Sequence, residues 1–277
     1  MKHGDTFTLT IEAGKTERHY WIDIWRFREL FYILAWRDIA VQYKQTIIGV
    51  LWAVLRPLLT MMIFVVVFGH IAKLSSEGIP YSIYVFAAML PWTFFATAFS
   101  NASNSLISNS NLISKVYFPR LIIPASSIII AAVDFLISFL ILIALMIWYQ
   151  YLPSWHLITI PFLLLLVFFM ALGAGLYISA LNVKYRDFRF VIPFIVQMGL
   201  YISPVAFSTT VVPEKYKIIF YLNPMVAVID GFRWAITCGK TEFNLSELCI
   251  SVAVTLILCV MGIWHFRKTE KTFADVI

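Results

Sequence analysis

Residues Leu121–Trp148 read LIIPASSIIIAAVDFLISFLILIALMIW, an apolar run with one charged side chain, Asp134. A helix needs roughly 20 consecutive apolar residues to cross a ~30 Å hydrocarbon layer, and this run exceeds that. Five more runs of similar character flank it: Ile47–Ile71, Tyr81–Phe99, Leu157–Leu181, Phe190–Phe207 and Leu248–Phe266. Hydrophobic residues make up 61% of the 277 and charged residues 13%, with a mean hydropathy of +0.85. That leaves too little polar surface to coat a water-soluble globule. The chain is therefore expected to be an all-α polytopic membrane protein with six transmembrane helices. Residues 1–45 form an N-terminal arm with an amphipathic interface helix, and residues 46–277 one membrane domain with no room for an appended soluble catalytic domain. Met1–Thr10 lacks the apolar core of a cleavable signal peptide.

Basic residues orient the spans. Of the 21 lysines and arginines, Lys73, Lys215, Lys217, Arg233 and Lys240 fall on one side, Arg56 lies within the first run, and the remaining 15 fall on the other side. Both termini are expected in the cytoplasm. The net charge of +6 is then cytoplasmic-face lysine and arginine and requires no nucleic acid. Cys238, Cys249 and Cys259 lack metal-ligand spacing, and His3, His19, His70, His156 and His265 form no cluster with carboxylates, so no metal site is expected.

Ile24–Gln45 has no Gly or Pro and mixes bulky apolar residues with charges, the pattern of a helix lying on a membrane surface. Arg26, Arg37 and Lys44 fall within about 20° of one another on a 3.6-residue wheel, although Arg28 and Asp38 interrupt a clean polar face. The connection Ala102–Arg120, ASNSLISNSNLISKVYFPR, embeds Leu106, Ile107, Leu112, Ile113 and Val116 among polar residues. It fits a short helix pressed against another protein, or equally a continuation of the second span. On the opposite side, Ile218–Ile236 is broken by Pro224, Asp230 and Arg233. A pair of re-entrant helices between the fifth and sixth spans is more economical than another crossing.

Two tripeptides mimic the end of a phosphate-binding loop, Gly14-Lys15-Thr16 and Gly239-Lys240-Thr241. That loop needs a glycine five positions earlier, where this chain has Leu9 and Trp234. No Ser-His-Asp, paired-carboxylate or H-E-x-x-H constellation is present at an accessible position. Asp134 and Arg56 are the only Asp, Glu, Lys or Arg within the runs, thin equipment for a proton-coupled carrier. Energy for transport is expected from a partner.

Leu181-Asn182-Val183-Lys184-Tyr185-Arg186-Asp187, followed by Pro193, Gln197 and Ser203-Pro204-Val205, resembles the signature region of the type 2 ABC export permeases that move polysaccharides. The resemblance extends to Gly49-Val50-Leu51-Trp52 with Pro57, Tyr117-Phe118-Pro119-Arg120, Tyr221-Leu222-Asn223-Pro224-Met225 and Phe232-Arg233. It runs from about Arg37 to the C-terminus. It implies a homodimer in the bacterial inner membrane, paired with two copies of a separate ABC ATPase that binds ATP and Mg, and no cofactor in this chain. The implied cargo is O-antigen, capsule or teichoic-acid chains, often lipid-linked. The implied ATPase-coupling helix maps onto Ser105, Leu106, Asn109, Leu112, Ile113, Lys115 and Val116. The polar N-terminus is longer than in simpler members.

A sliding sugar polymer needs flat, weakly adhesive walls, and aromatic rings give contact without a fixed register. Phe, Tyr and Trp make up 17% of the chain. Those nearest the resembling motifs, Trp52, Trp92, Phe95, Phe99, Phe194 and Tyr201, are the candidate tunnel residues; lipid contact or helix packing is the alternative for each. Trp148, Tyr149, Tyr151 and Trp155 fit an interfacial belt. Arg56 should face water or an anion: either the phosphates of a lipid-linked substrate, which a guanidinium fork fits, or Asp134 within the chain. Gly173 and Gly175 fit close helix packing, the Arg186–Asp187 pair orders a short loop, and Pro193 and Pro204 should bend the fifth helix. A permease exporting a drug or small lipid would share the span count and coupling. A membrane transferase acting on lipid-linked sugars would need a reactive cluster that the sequence lacks.

Overall fold

The computed structural model describes residues 20–44, 47–151, 155–185, 187–241 and 243–273, and every regular element among them is helical. The first nineteen residues of the N-terminal arm, with Gly14-Lys15-Thr16, and Arg186 of the signature lie outside the described residues.

The stretch read as a surface helix is helical in two pieces, α1 (Tyr20–Arg26) and α2 (Arg28–Tyr43), with Phe27 at the bend. Its outer face carries Trp21, Trp25, Tyr32, Ile33, Trp36 and Val41, all exposed. Arg26 pairs with Asp23, and Arg37 pairs with Asp38 at 2.6 Å. The first span is α3 (Ile47–Phe64), prolonged by a π-helical turn over Val65–Ile71.

α4 (Tyr81–Ser108) contains the second apolar run and continues past it, and a break at Asn109 separates it from α5 (Ser110–Lys115). The second span is thus prolonged as a helix beyond its apolar run, and a short separate helix follows. Next come α6 (Ile122–Ser127), α7 (Ile129–Trp148), α8 (Ile160–Lys184), α9 (Phe188–Ile202), α10 (Glu214–Tyr221), α11 (Pro224–Ile236) and α12 (Leu245–Glu270).

Among the described residues five segments are long and apolar enough to cross a membrane: Leu51–Ile71, Tyr81–Ser108, Ile122–Trp148, Trp155–Lys184 and Leu245–Glu270. The expected fifth run falls short as a helix. α9 has 15 residues, roughly 22 Å of helix. Pro193 is accommodated inside it, but Pro204 ends it instead of bending it. The residue before a proline is driven out of the helical region, and Ser203 is extended, with ψ of 148°.

α4 is the central strut, with 78% of its most apolar window buried, and it packs against α8, α7, α11 and α6. α3 is the opposite extreme at 6%. The crossing of α8 with α12 is close because Gly173 and Gly262 face each other there, and Gly175 abuts Ala102 of α4. The glycines expected to pack helices do so. Beyond α9 the chain breaks at Leu222–Asn223, where the Asn223 side chain accepts from the Met225 amide and Pro224 occupies the first turn, starting α11. α11 is almost wholly buried against α4, α12 and α8.

Candidate functional site

A cavity of about 410 Å³ lies among α3, α4, α7 and α9, with Gln42 from the end of α2 at its wall. α3 supplies Trp52, Arg56 and Thr60, α4 supplies Trp92 and Thr93, and α7 supplies Asp134 and Ser138. Helical spacing explains the grouping on α3, since positions four apart share a face. Two of the lining hydroxyls are committed to their own helices: Thr60 donates to the Arg56 carbonyl at 2.9 Å and Thr93 to the Met89 carbonyl at 2.8 Å. On α3 the donors left facing the cavity are those of the exposed Arg56 guanidinium and the Trp52 indole N–H.

Asp134 is already engaged. It accepts from the Tyr43 hydroxyl and from Gln42 Nε2, the latter at 3.3 Å. Burial first, and the Asp134 carboxylate second, hold the Tyr43 phenol well above its ordinary range, so it remains a donor. Among the described residues no ion pair joins Arg56 to Asp134, although both line the same cavity. The intrachain pairing weighed for Arg56 is not made. The contact instead ties the end of the surface helix to the third span.

The structure brings together three of the sequence-chosen residues, Trp52, Arg56 and Trp92. Trp52 is 55% exposed, whereas Trp92 is buried, with its ring tip against Gly199 of α9. Phe95 and Phe99 do not line the cavity. Phe95 lies 5.7 Å from Trp92 and stacks on Phe99 at the same distance, and Phe99 is 2% exposed, inside the main apolar core. Phe194 and Tyr201 are exposed on α9, away from the cavity lining. Gln42, Thr60, Thr93 and Ser138 were not singled out from sequence, since nothing separates a lining hydroxyl in an apolar run from one bonded to its own helix.

Of the residues proposed for coupling, Ser105 and Leu106 are buried at the end of α4, and Ile113 is buried beneath α5. Leu112 is half-buried, while Lys115 and Val116 are exposed, as are neighbouring Ile107 and Tyr117. Asn109 sits at the break and accepts from Arg37 Nη2 at 2.8 Å, so the surface helix touches the connection directly.

Three other motif residues, Arg233, Asn223 and Asn182, build scaffold. Arg233, 1% exposed, donates from Nη2 to the Val205 carbonyl at 3.0 Å and from Nη1 to the Phe207 carbonyl at 2.9 Å, with Asp230 at 3.8 Å. Asn223 donates to the Ser203 hydroxyl at 3.0 Å. Asn182 of the signature donates to the Ser103 carbonyl at 3.1 Å, locking α8 to α4. Among the described residues no group of three His, Cys, Asp or Glu is arranged to hold a metal.

Comparison with known proteins agrees with this architecture. The chain is 27% identical over 250 residues to the O-antigen export system permease protein RfbA of Klebsiella pneumoniae, covering 90% of this chain and 95% of that protein. It is 23% identical over 257 residues to the RfbA protein of Myxococcus xanthus, covering 92% and 98%. It is 22% identical over 240 residues to the polysialic acid transport protein KpsM of Escherichia coli, covering 85% and 91%. Residues 29–237, from the surface helix through α11, match the family described as ABC-2 type transporter; with its multi-pass helical fold, the chain belongs to that family, as the membrane subunit of a transporter and not an enzyme.

Proposed function

We propose that this chain is the channel-forming permease of an ATP-driven exporter of polysaccharide, O-antigen joined to a lipid carrier, across the bacterial inner membrane. It acts as a homodimer with two copies of a separate ABC ATPase, which bind ATP and Mg²⁺, and both termini face the cytoplasm. Similarity along nearly the whole length to relatives named for O-antigen export supports this reading, as does the bias of basic residues to one side. α3 has little contact with the rest of its own chain and leaves a face for a second copy. α9 with the segment that follows it supplies the sixth crossing, α10 and α11 are the re-entrant pair, and α5 docks on the ATPase.

The observation that carries the substrate assignment is the exposed Arg56, which lines the same cavity as Trp52 and Trp92. An uncompensated arginine at depth in lipid costs at least ~2.5 kcal/mol on insertion scales. A phosphate on a lipid carrier offsets that cost with two parallel hydrogen bonds. The exposed Trp52 indole offers a sugar ring contact without fixed register.

The test is deletion of the gene and complementation in its own host, with polysaccharide followed on the cell surface and inside. Expected are loss of surface O-antigen with intracellular accumulation of the lipid-linked chain, and restoration on complementation. Unchanged surface polysaccharide in the deletion strain, or ATP hydrolysis by the purified chain without a partner, would overturn the proposal. Loss of drug resistance alone would redirect it to a small-molecule exporter.

A further inference from the structure

Glu270, the last residue of α12, gathers three separate chain segments. Its Oε1 accepts from the Arg120 amide at 2.8 Å and from the Tyr20 hydroxyl at 3.2 Å. Arg120 returns a bond of 2.6 Å from Nη1 to the Glu270 carbonyl, and its guanidinium lies 5.9 Å from the centre of the Phe273 ring. Arg267, one turn before Glu270, lies 4.4 Å from the centre of the Tyr20 ring. Beneath this arrangement Phe118, Phe266 and Phe273 share a buried cluster with Leu106 of α4 and Ile113 of α5. None of these polar contacts belongs to the cavity around Arg56.

Arg120 closes the segment by which the chain returns from α5. The other end of α5 is fixed at Asn109, where α4 breaks and Arg37 donates. A six-residue helix has almost no stability of its own, because nucleation costs more than one turn of hydrogen bonds returns. Its orientation is therefore set by its two anchors and by the apolar side chains under it. A carboxylate that accepts both a backbone amide and a hydroxyl away from bulk water is a strong anchor, and it makes the end of α12 one of those two.

We propose that Glu270 is a positioning residue for energy coupling, keying the return segment of α5 to the end of the last span so that a push on α5 by the ATPase moves α12. The inference rests on the reading of this chain as a permease driven by a separate ATPase. Glu270 touches neither cargo nor nucleotide; it acts through Arg120. Without it, displacement of α5 is absorbed by bending of residues 116–120, and ATP is hydrolysed with less cargo moved.

The test uses the complete complex with its ATPase in proteoliposomes, with export of the lipid-linked polysaccharide and ATP hydrolysis measured on the same vesicles. In Glu270→Ala the export per ATP hydrolysed is expected to fall about tenfold, the equivalent of one charge-assisted hydrogen bond, while assembly and hydrolysis stay within about twofold of the parent. Glu270→Gln keeps an Oε1 acceptor for the Arg120 amide and is expected to recover most of the ratio. A parental ratio in Glu270→Ala overturns the inference, and so does an equal loss in Glu270→Gln. Should Glu270→Ala yield no complex, Tyr20→Phe decides: it removes one hydroxyl and keeps the ring, so a lowered ratio supports the anchor and an unchanged one overturns it. A parental complex that exports nothing on ATP overturns the underlying function itself, which separates the two failures.

Discussion

The guanidinium of Arg233 lies 4.0 Å from the centre of the Tyr84 ring while its nitrogens donate to the carbonyls of Val205 and Phe207. A side chain from α11 thereby fastens the central span α4 to the segment leaving α9. Removing it strands two buried carbonyls and Asp230, so Arg233→Ala is expected to destabilise the protein by about 3–5 kcal/mol. Arg233→Lys keeps the charge but cannot reach two carbonyls in the same plane, and should fall between the two. Thermal unfolding of the purified protein reads the difference; an unchanged midpoint for Arg233→Ala would mean that the segment is held by other contacts.

The crossing of α8 and α12 sets a second expectation. A Cβ at Gly173 would sit 2.7 Å from the Cys259 backbone nitrogen and 2.8 Å from its Cα, with no flexible side chain to yield. Helices in lipid gain their association from such close backbone approach. Gly173→Ala should cost about 1–3 kcal/mol through overpacking. Cysteine cross-linking across the two helices in the variant tests it: parental cross-linking efficiency would show that the helices tolerate the added methyl.

The spans were legible in sequence to the extent that lipid imposes length and apolarity on them, and their true ends were not. The second apolar run stops at Phe99, yet α4 continues to Ser108. Its polar residues there are satisfied within the helix, Asn104 donating to the Ser100 carbonyl at 2.9 Å and Ser108 to the Asn104 carbonyl at 3.1 Å. Hydropathy marks where hydrocarbon ends, and a helix need not end there. The reverse happens in α9, where apolar residues continue to Phe207 but the Ser203-Pro204 pair stops the helix at Ile202. Trp52 and Arg56 stood out as a ring and a charge in an apolar run. The separation of Trp92 from Phe99 did not, because both lie on one helix and only the neighbours packed against each face distinguish them.

The buried Phe99 and the exposed Trp52 give opposite outcomes on substitution. Phe99 fills the interior core, so Phe99→Ala should lose about 3–5 kcal/mol of stability. Trp52 faces the cavity with more than half its surface open, and Trp52→Ala should change stability by less than about 1 kcal/mol, as exposed positions do, while lowering export. Unfolding midpoints and surface polysaccharide, measured on both variants, check the contrast. A destabilised Trp52→Ala with export proportional to protein level would make Trp52 a packing residue.

Arg56 and Asp134 share a cavity without pairing, and this makes their substitutions separable. Arg56→Lys retains a cation but offers one compact donor group where a phosphate would meet two parallel ones, so export at limiting substrate should fall by about tenfold, one charge-assisted hydrogen bond. Asp134→Asn removes the acceptor charge that Tyr43 and Gln42 use, so it should loosen the surface helix from α7 instead. Residues that do not interact have additive effects to within about 0.5 kcal/mol, so the double variant should show the product of the two single reductions in export. A double variant no worse than Arg56→Lys alone would mean that the two side chains act as a pair after all, and would return Arg56 from substrate recognition to the internal architecture of the helix bundle.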